Sequence, residues 1–263
     1  MPSTLEELQA RRADECRLTP DRALETLGDA HAFLLDRGFL TRTPDCALPS
    51  LFGACHEDPY QPDGRGFASW PATKWPWGHE LGGLPGVHML EIHRGKTIYL
   101  TDGTLALVDP ICRGELARME REDPGWRRLL WHLAETGPSL ADDVELELGL
   151  KHQELRALRA PLQRCGALVA TSVIVPARGG EGHLHRAELA RWDQKFPQPS
   201  GAPADVVGLL GAALRAAVLA PDRDLSRWFS WRWLLPADLP GQLLDRGLAV
   251  RPGQGWLAAP ARP

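Results

Sequence analysis

Tyrosine and methionine are scarce in this chain of 263 residues, with 2 and 3 copies, and its 5 cysteines stand far apart. Cys16, Cys46, Cys55, Cys112 and Cys165 include no Cys-x-x-Cys pair, which excludes the zinc-clip and thiol-redox motifs and leaves reduced packing residues as the expectation. A long hydrophobic run is missing too. The longest, VVGLLGAALRAAVLA from Val206 to Ala220, is interrupted by Arg215 and falls about a turn short of the roughly 20 residues of a membrane span. It reads as a buried helix, and no membrane partner is expected. The opening MPSTLEELQARRADE is acidic and amphipathic and lacks the apolar core of a secretory signal, so a cytoplasmic protein is expected.

Positive charge is not in excess either: 30 Lys and Arg against 34 Asp and Glu give a net charge of −4. Residues 1–124 hold 13 basic against 20 acidic side chains, 125–200 hold 10 against 9, and 201–263 hold 7 against 5. Only the last two segments offer a basic face. Gly-x-Ser-x-Gly, the Walker loop, His-Glu-x-x-His and the kinase set are absent, which removes the hydrolases and phosphotransferases that carry them.

What is present is a globular composition, 43% apolar and 24% charged, with clear helix and turn punctuation. Ser3 with Glu6 predicts a capping box for a first helix, and Thr19-Pro20-Asp21 starts a second that runs to Arg37 and stops at Gly38. LPSLFGA predicts a short helical piece. VHMLEI and TIYL around HRGK predict a hairpin. Thr101 and Asp102 open a helix expected to end near Pro110, and ICRGELARMERE continues as another up to Asp123-Pro124. Then follow GWRRLLWHLAE, SLADDVELELG and KHQELRALRAPLQRCG, with a hairpin behind them, the order of a winged helix. A second copy is expected from ADVVGLLGAALRAAVLA, DLSRWFSWRWLL, PADLPGQLLDRG and the hairpin LAV-RPGQG-WLAA. The expected architecture is mainly α with short β-hairpins, α+β in class, with tandem winged-helix modules. An α+β, winged-helix-like region covers 1–124, and winged helices cover 125–192 and 202–258. One continuous α+β domain without helix-turn-helix geometry is the alternative.

On the helix from Lys151, Leu155, Leu158, Leu162 and Cys165 form a packing stripe, while His152, Arg156, Arg159 and Gln163 fall on another face. Arginine suits bidentate contact with guanine or phosphate, and the hairpin tip adds Arg178, His183, His185 and Arg186 beside three glycines. His152, Arg156, Arg159, Arg178, His183, His185 and Arg186 are the candidate duplex-DNA contacts. The competing reading is a solvated helix face. His183 and His185 have no third ligand at metal-site spacing, so neither metal nor cofactor is expected. Two aromatic stretches, WPATKWPWGHE and SRWFSWRWLL, suit either interdomain packing or base stacking, with Trp75 and Trp77 as the candidate base-stacking pocket. Glu80 and Asp102 are the candidate catalytic carboxylates, although Asp102 can equally serve as a helix cap.

AFLLDRGFLTRTPDCALPSLFGA, followed by TKWPWGHELGGLPGVHMLEIHRGKTIYLTD, resembles the AlkZ-related, YcaQ-like proteins of the winged-helix DNA glycosylase superfamily. The resemblance covers most of residues 20–258. It implies tandem winged helices around a DNA-facing surface and excision of alkylated or crosslinked purines by a Gln-hydrophobic-Gln or Gln-hydrophobic-Asp motif. No glutamine here is read as having Gln or Asp two positions later, so the motif is taken as missing and no catalytic residue is carried over. The expectation is a DNA-binding protein of DNA damage response or repair, with double-stranded DNA, damaged or not, as its partner. An active glycosylase and a protein-interaction scaffold are the alternatives.

Overall fold

The computed structural model describes residues 4–176 and 183–261. The tip of the longest hairpin, with the candidate Arg178, lies outside the described residues. One plan occurs three times: a helix, a short strand, two helical segments and a hairpin. In each copy the short strand pairs antiparallel with the last strand of the hairpin. This is the winged-helix plan, and the fold is the mainly helical α+β, tandem winged-helix architecture expected from the sequence.

The chain begins with α1 (Leu5–Glu15), capped by Thr4 and Glu7, one residue later than the Ser3–Glu6 pair expected. The first module then comprises α2 (Leu27–Arg37), β1 (Phe39–Thr41), the short α3 (Trp77–Glu80), β2 (Val87–His93) and β3 (Lys96–Thr101). Thr19-Pro20-Asp21 starts only a turn at Pro20–Arg22. The buried Leu24 donates its N–H to Ala54 O at 2.9 Å, and a new capping box of Thr26 with Asp29 restarts the helix at Leu27. The LPSLFGA segment forms turns instead of a helix.

Next, α4 (Asp102–Glu122) runs straight through Pro110, contrary to the break expected there. Proline removes one backbone bond, but Val108, Ile111, Cys112, Leu116 and Met119 are all buried along the helix, and that burial outweighs the lost bond. The second module is α5 (Pro124–Thr136), β4 (Ser139–Leu140), α6 (Ala141–Leu148), α7 (His152–Cys165), β5 (Leu168–Pro176) and β6 (His183–Arg191), followed by α8 (Trp192–Lys195). Pro161 likewise sits inside α7 without ending it.

The third module holds α9 (Val206–Ala217), β7 (Leu219–Pro221), α10 (Asp222–Leu225), α11 (Leu239–Asp245), β8 (Val250–Gly253) and β9 (Trp256–Ala258). Here the helix expected to reach Ala220 ends at Ala217, because Leu219–Pro221 is drawn into the sheet against β9. The first helix of each module is left through a positive φ, at Gly38 (79°), Gly137 (82°) and Val218 (67°). Glycine adopts that geometry readily, whereas the β-branched Val218 does so at about 1–3 kcal/mol. Its full burial and the bond from Ala259 N–H to its carbonyl, 2.9 Å, hold it there.

DLSRWFSWRWLL is not one helix; it is an irregular strap between modules. Trp228, Phe229 and Trp231 are buried, Phe229 stacks on Trp231 at 5.6 Å, and Phe39 meets Phe229 edge-on at 6.1 Å. Ser230 N–H donates to Ile92 O of β2 at 2.9 Å, and Trp231 Nε1–H donates to Cys165 O at the end of α7, also at 2.9 Å. His93 bridges Trp228 O (2.5 Å) and Asp45 (3.0 Å). The packing role of this aromatic stretch follows, and one apolar core runs through all three modules.

Candidate functional site

β2 and β5 are the outer strands of their sheets and face each other across the junction of the first and second modules. Among the described residues no backbone hydrogen bond joins them, so the two edges leave a cleft. It has two compartments, of 240 and 110 Å³, which share Met89, Leu90, Val169 and Ala170.

The larger compartment is bordered by His88, Thr171, Lys195 and Phe196. His88 Nε2 lies 2.7 Å from Asp102 Oδ1, and the Phe196 ring stands edge-on to the imidazole at 5.5 Å. Asp102 is the first residue of α4, but it does not cap it. Thr101 does so, exchanging hydrogen bonds with Thr104. The Asp102 carboxylate is exposed and pairs with His88.

The smaller compartment is bordered by Arg42, Glu91, Thr97 and Gln163. Arg42 follows β1 directly. Its guanidinium donates to Tyr99 Oη (3.2 Å) and Gly78 O (3.1 Å) and lies 5.1 Å from the centre of the Trp70 ring. Glu91 is exposed at the rim, but partial desolvation by the cleft pushes its carboxyl above the ordinary value, with Arg159 and Arg42 pulling the other way. A carboxyl shifted by desolvation in a cleft beside two cations is a common mark of a functional site.

The expected DNA-contact residues divide into two groups. Arg156 is exposed on α7 and makes no ion pair among the described residues, and His183 and His185 are exposed on β6. The others are engaged: His152 pairs with Glu145 at 2.9 Å, Arg186 with Asp142 at 3.2 Å, and Arg159 is half-buried toward Glu91. The C-terminal part of α7 packs on β2, so its first two turns are the exposed part. His185 meets His79 edge-on at 6.5 Å, which brings the wing of the second module beside α3 and its exposed Glu80. Trp75 packs against Phe67 and Trp77 lies under the Lys74 ammonium. Neither Trp borders the cleft, whose aromatic wall is Phe196.

Gln61 departs from the expectation that no glutamine has Gln or Asp two positions later. Gln61-Pro62-Asp63 does carry Gln and Asp two apart. Both side chains are exposed in a turn, with Asp63 at φ 58°, away from the cleft.

Asp45, Cys46 and His93 bring three ligand-type atoms within 4.8 Å of one another. The donor set does not fit a metal. Arg94 and Lys96 already hold Asp45, and burial pushes the Cys46 thiol up to about 12, so a thiolate is disfavoured.

His88, Arg42 and Glu91 were not singled out by the sequence. The available signal was the HRGK turn: a two-residue turn there places His88 opposite Leu100 or Thr101, next to Asp102. Cleft residues on β5 and α8 carried no local signal.

The fold and cleft define a tandem winged-helix protein with an ionisable cleft between its first two modules. No protein-family model matches the sequence, and no curated protein does. Among solved structures the chain is similar to the Streptomyces sahachiroi DNA glycosylase AlkZ, with a TM-score of 0.53 and 15% identity. The match covers 94% of this chain and 66% of that one. This likeness shows an AlkZ-related fold, and the chain spans just under two thirds of its solved relative.

Proposed function

We propose that this protein binds double-stranded DNA across its winged-helix modules and presents the cleft between β2 and β5 to a damaged base. The observation that carries the reading is the likeness of nearly the whole chain, three modules in order, to a solved DNA glycosylase. Arg156 and the exposed histidines of β6 supply backbone contacts, as the hairpin tip with Arg178 would. Such contacts position a protein on DNA without reading its sequence. Asp142 and Glu145 beside the second module's basic residues keep the affinity modest.

The test is a duplex-binding titration against salt. Each lost phosphate contact lowers the slope of log affinity against log salt by about 0.9, so Arg156→Ala is expected to reduce it by that amount. No binding on any duplex at low salt rejects the reading and favours a protein-interaction scaffold.

A second reading, base excision, is favoured by the ionisable groups of the cleft. An N7-alkylated purine is cationic and leaves readily, so groups that place and deprotonate water suffice without a strong acid. Incubation with N7-methylguanine duplex and hot-alkali cleavage of the abasic sites tests it. Release above a protein-free control is expected.

A further inference from the structure

We propose that His88 is the general base of the cleft and Asp102 its positioning partner. The inference rests on the base-excision reading and names the groups that move the proton.

Four observations converge. The Nε2–Oδ1 separation of 2.7 Å makes Nε2–H the donor to the carboxylate, which leaves Nδ1 of the neutral ring as the proton acceptor. His88 borders the 240 Å³ compartment, a space large enough for one heterocyclic base. Phe196, edge-on at 5.5 Å, limits rotation of the imidazole. Thr101 caps α4, so the Asp102 carboxylate is spared from capping and available to His88.

The proton and electron balance is simple. A water oxygen bonds to the sugar C1′ while the bond from C1′ to the purine nitrogen breaks. The electron pair of that bond goes to the purine, which leaves neutral because it was cationic. The proton of the attacking water goes to His88 Nδ1, and the Asp102 carboxylate stabilises the imidazolium. Solvent then takes the proton. Lys195, at the same compartment, is placed to hold a phosphate of the strand.

The test is single-turnover release of N7-methylguanine from duplex, with binding of the same duplex measured in parallel. His88→Ala and the near-isosteric His88→Gln are expected to lose about 10²-fold or more in release rate while duplex affinity is kept. Imidazole in solution is expected to restore part of the His88→Ala rate. Asp102→Asn is expected to lower the rate without changing affinity, and Asp102→Glu to recover part of it. Circular dichroism of each variant confirms its fold. If the wild type releases base and both His88 variants match it, the proposal is overturned and base excision stands. If the wild type binds duplex but releases nothing, base excision and the proposal both fall.

Discussion

The first module meets its two neighbours in opposite ways. Against the third it forms a dry seam, in which Trp228, Phe229 and Trp231 are buried and Ser230 and His93 supply hydrogen bonds across it. Against the second it leaves two sheet edges facing each other across a cleft lined by His88, Lys195, Arg42 and Glu91, with the charge of Arg159 acting on Glu91. Both junctions involve β2: Ile92 O serves the seam, while Met89 and Leu90 line the cleft. One strand thus carries structural and site roles within a few residues. Aromatic burial fixes the relative placement of the modules at the seam, and the cleft keeps its ionisable groups positioned without being filled.

The largest expected effect comes from breaking the seam. Trp231 is 1% exposed, stacks on Phe229 and donates to Cys165 O. Trp231→Ala is expected to destabilise the chain by about 3–5 kcal/mol, measured by urea unfolding. Equal midpoints for mutant and wild type would show that the seam is not what holds the modules.

Next in size is the acid response at the edge of the seam. Burial disfavours the Asp45 charge, but hydrogen bonds from His93 and Lys96 and the charge of Arg94 outweigh it and hold the carboxyl well below the usual range. The folded value lies below the unfolded one, so the stabilisation is complete above the ordinary value of 3.8 and is lost as pH falls below it. Asp45→Asn is expected to cost ~1–3 kcal/mol at neutral pH and to flatten the acid slope of stability. An unchanged slope assigns acid sensitivity to other carboxylates.

In the cleft the sign reverses and the effect is smaller. Glu91 is raised by burial, so its contribution is most favourable below its unfolded value and is lost as pH rises through the folded one. Glu91→Gln is expected to raise the unfolding midpoint slightly at neutral pH and to leave it unchanged in acid. A fall at neutral pH contradicts a cleft built at some cost to stability.

The helices and hairpin of the second module were legible because helix starts, Gly stops and apolar periods agree there, whereas in the third the stretch DLSRWFSWRWLL, expected as a helix, forms a strap. Lys151 to Cys165 is one example, with four residues of its apolar stripe spaced at helical intervals. Misreadings occurred where tertiary burial overrode a local signal. Pro110 looked like a stop, but the buried face of α4 carries the helix past it. Leu219–Pro221 looked helical, but β9 recruits it as a strand. The cleft itself was nearly illegible, because it joins β2 to β5 and α8 over 75 or more residues of sequence. Only the His88–Asp102 pair was within reach of a local argument, through the hairpin register.

The most direct measurement is amide hydrogen exchange with and without a duplex containing N7-methylguanine. The outward-facing amides of β2 and β5 have no ladder partner across the cleft, so they exchange quickly in the free protein. The amides of the seam around Ser230 are already hydrogen-bonded and buried. The account predicts that DNA slows exchange in Val87–His93, Leu168–Pro176 and the first turns of α7 and leaves the seam unchanged. Protection confined to other surfaces, or none at saturating duplex, would contradict it.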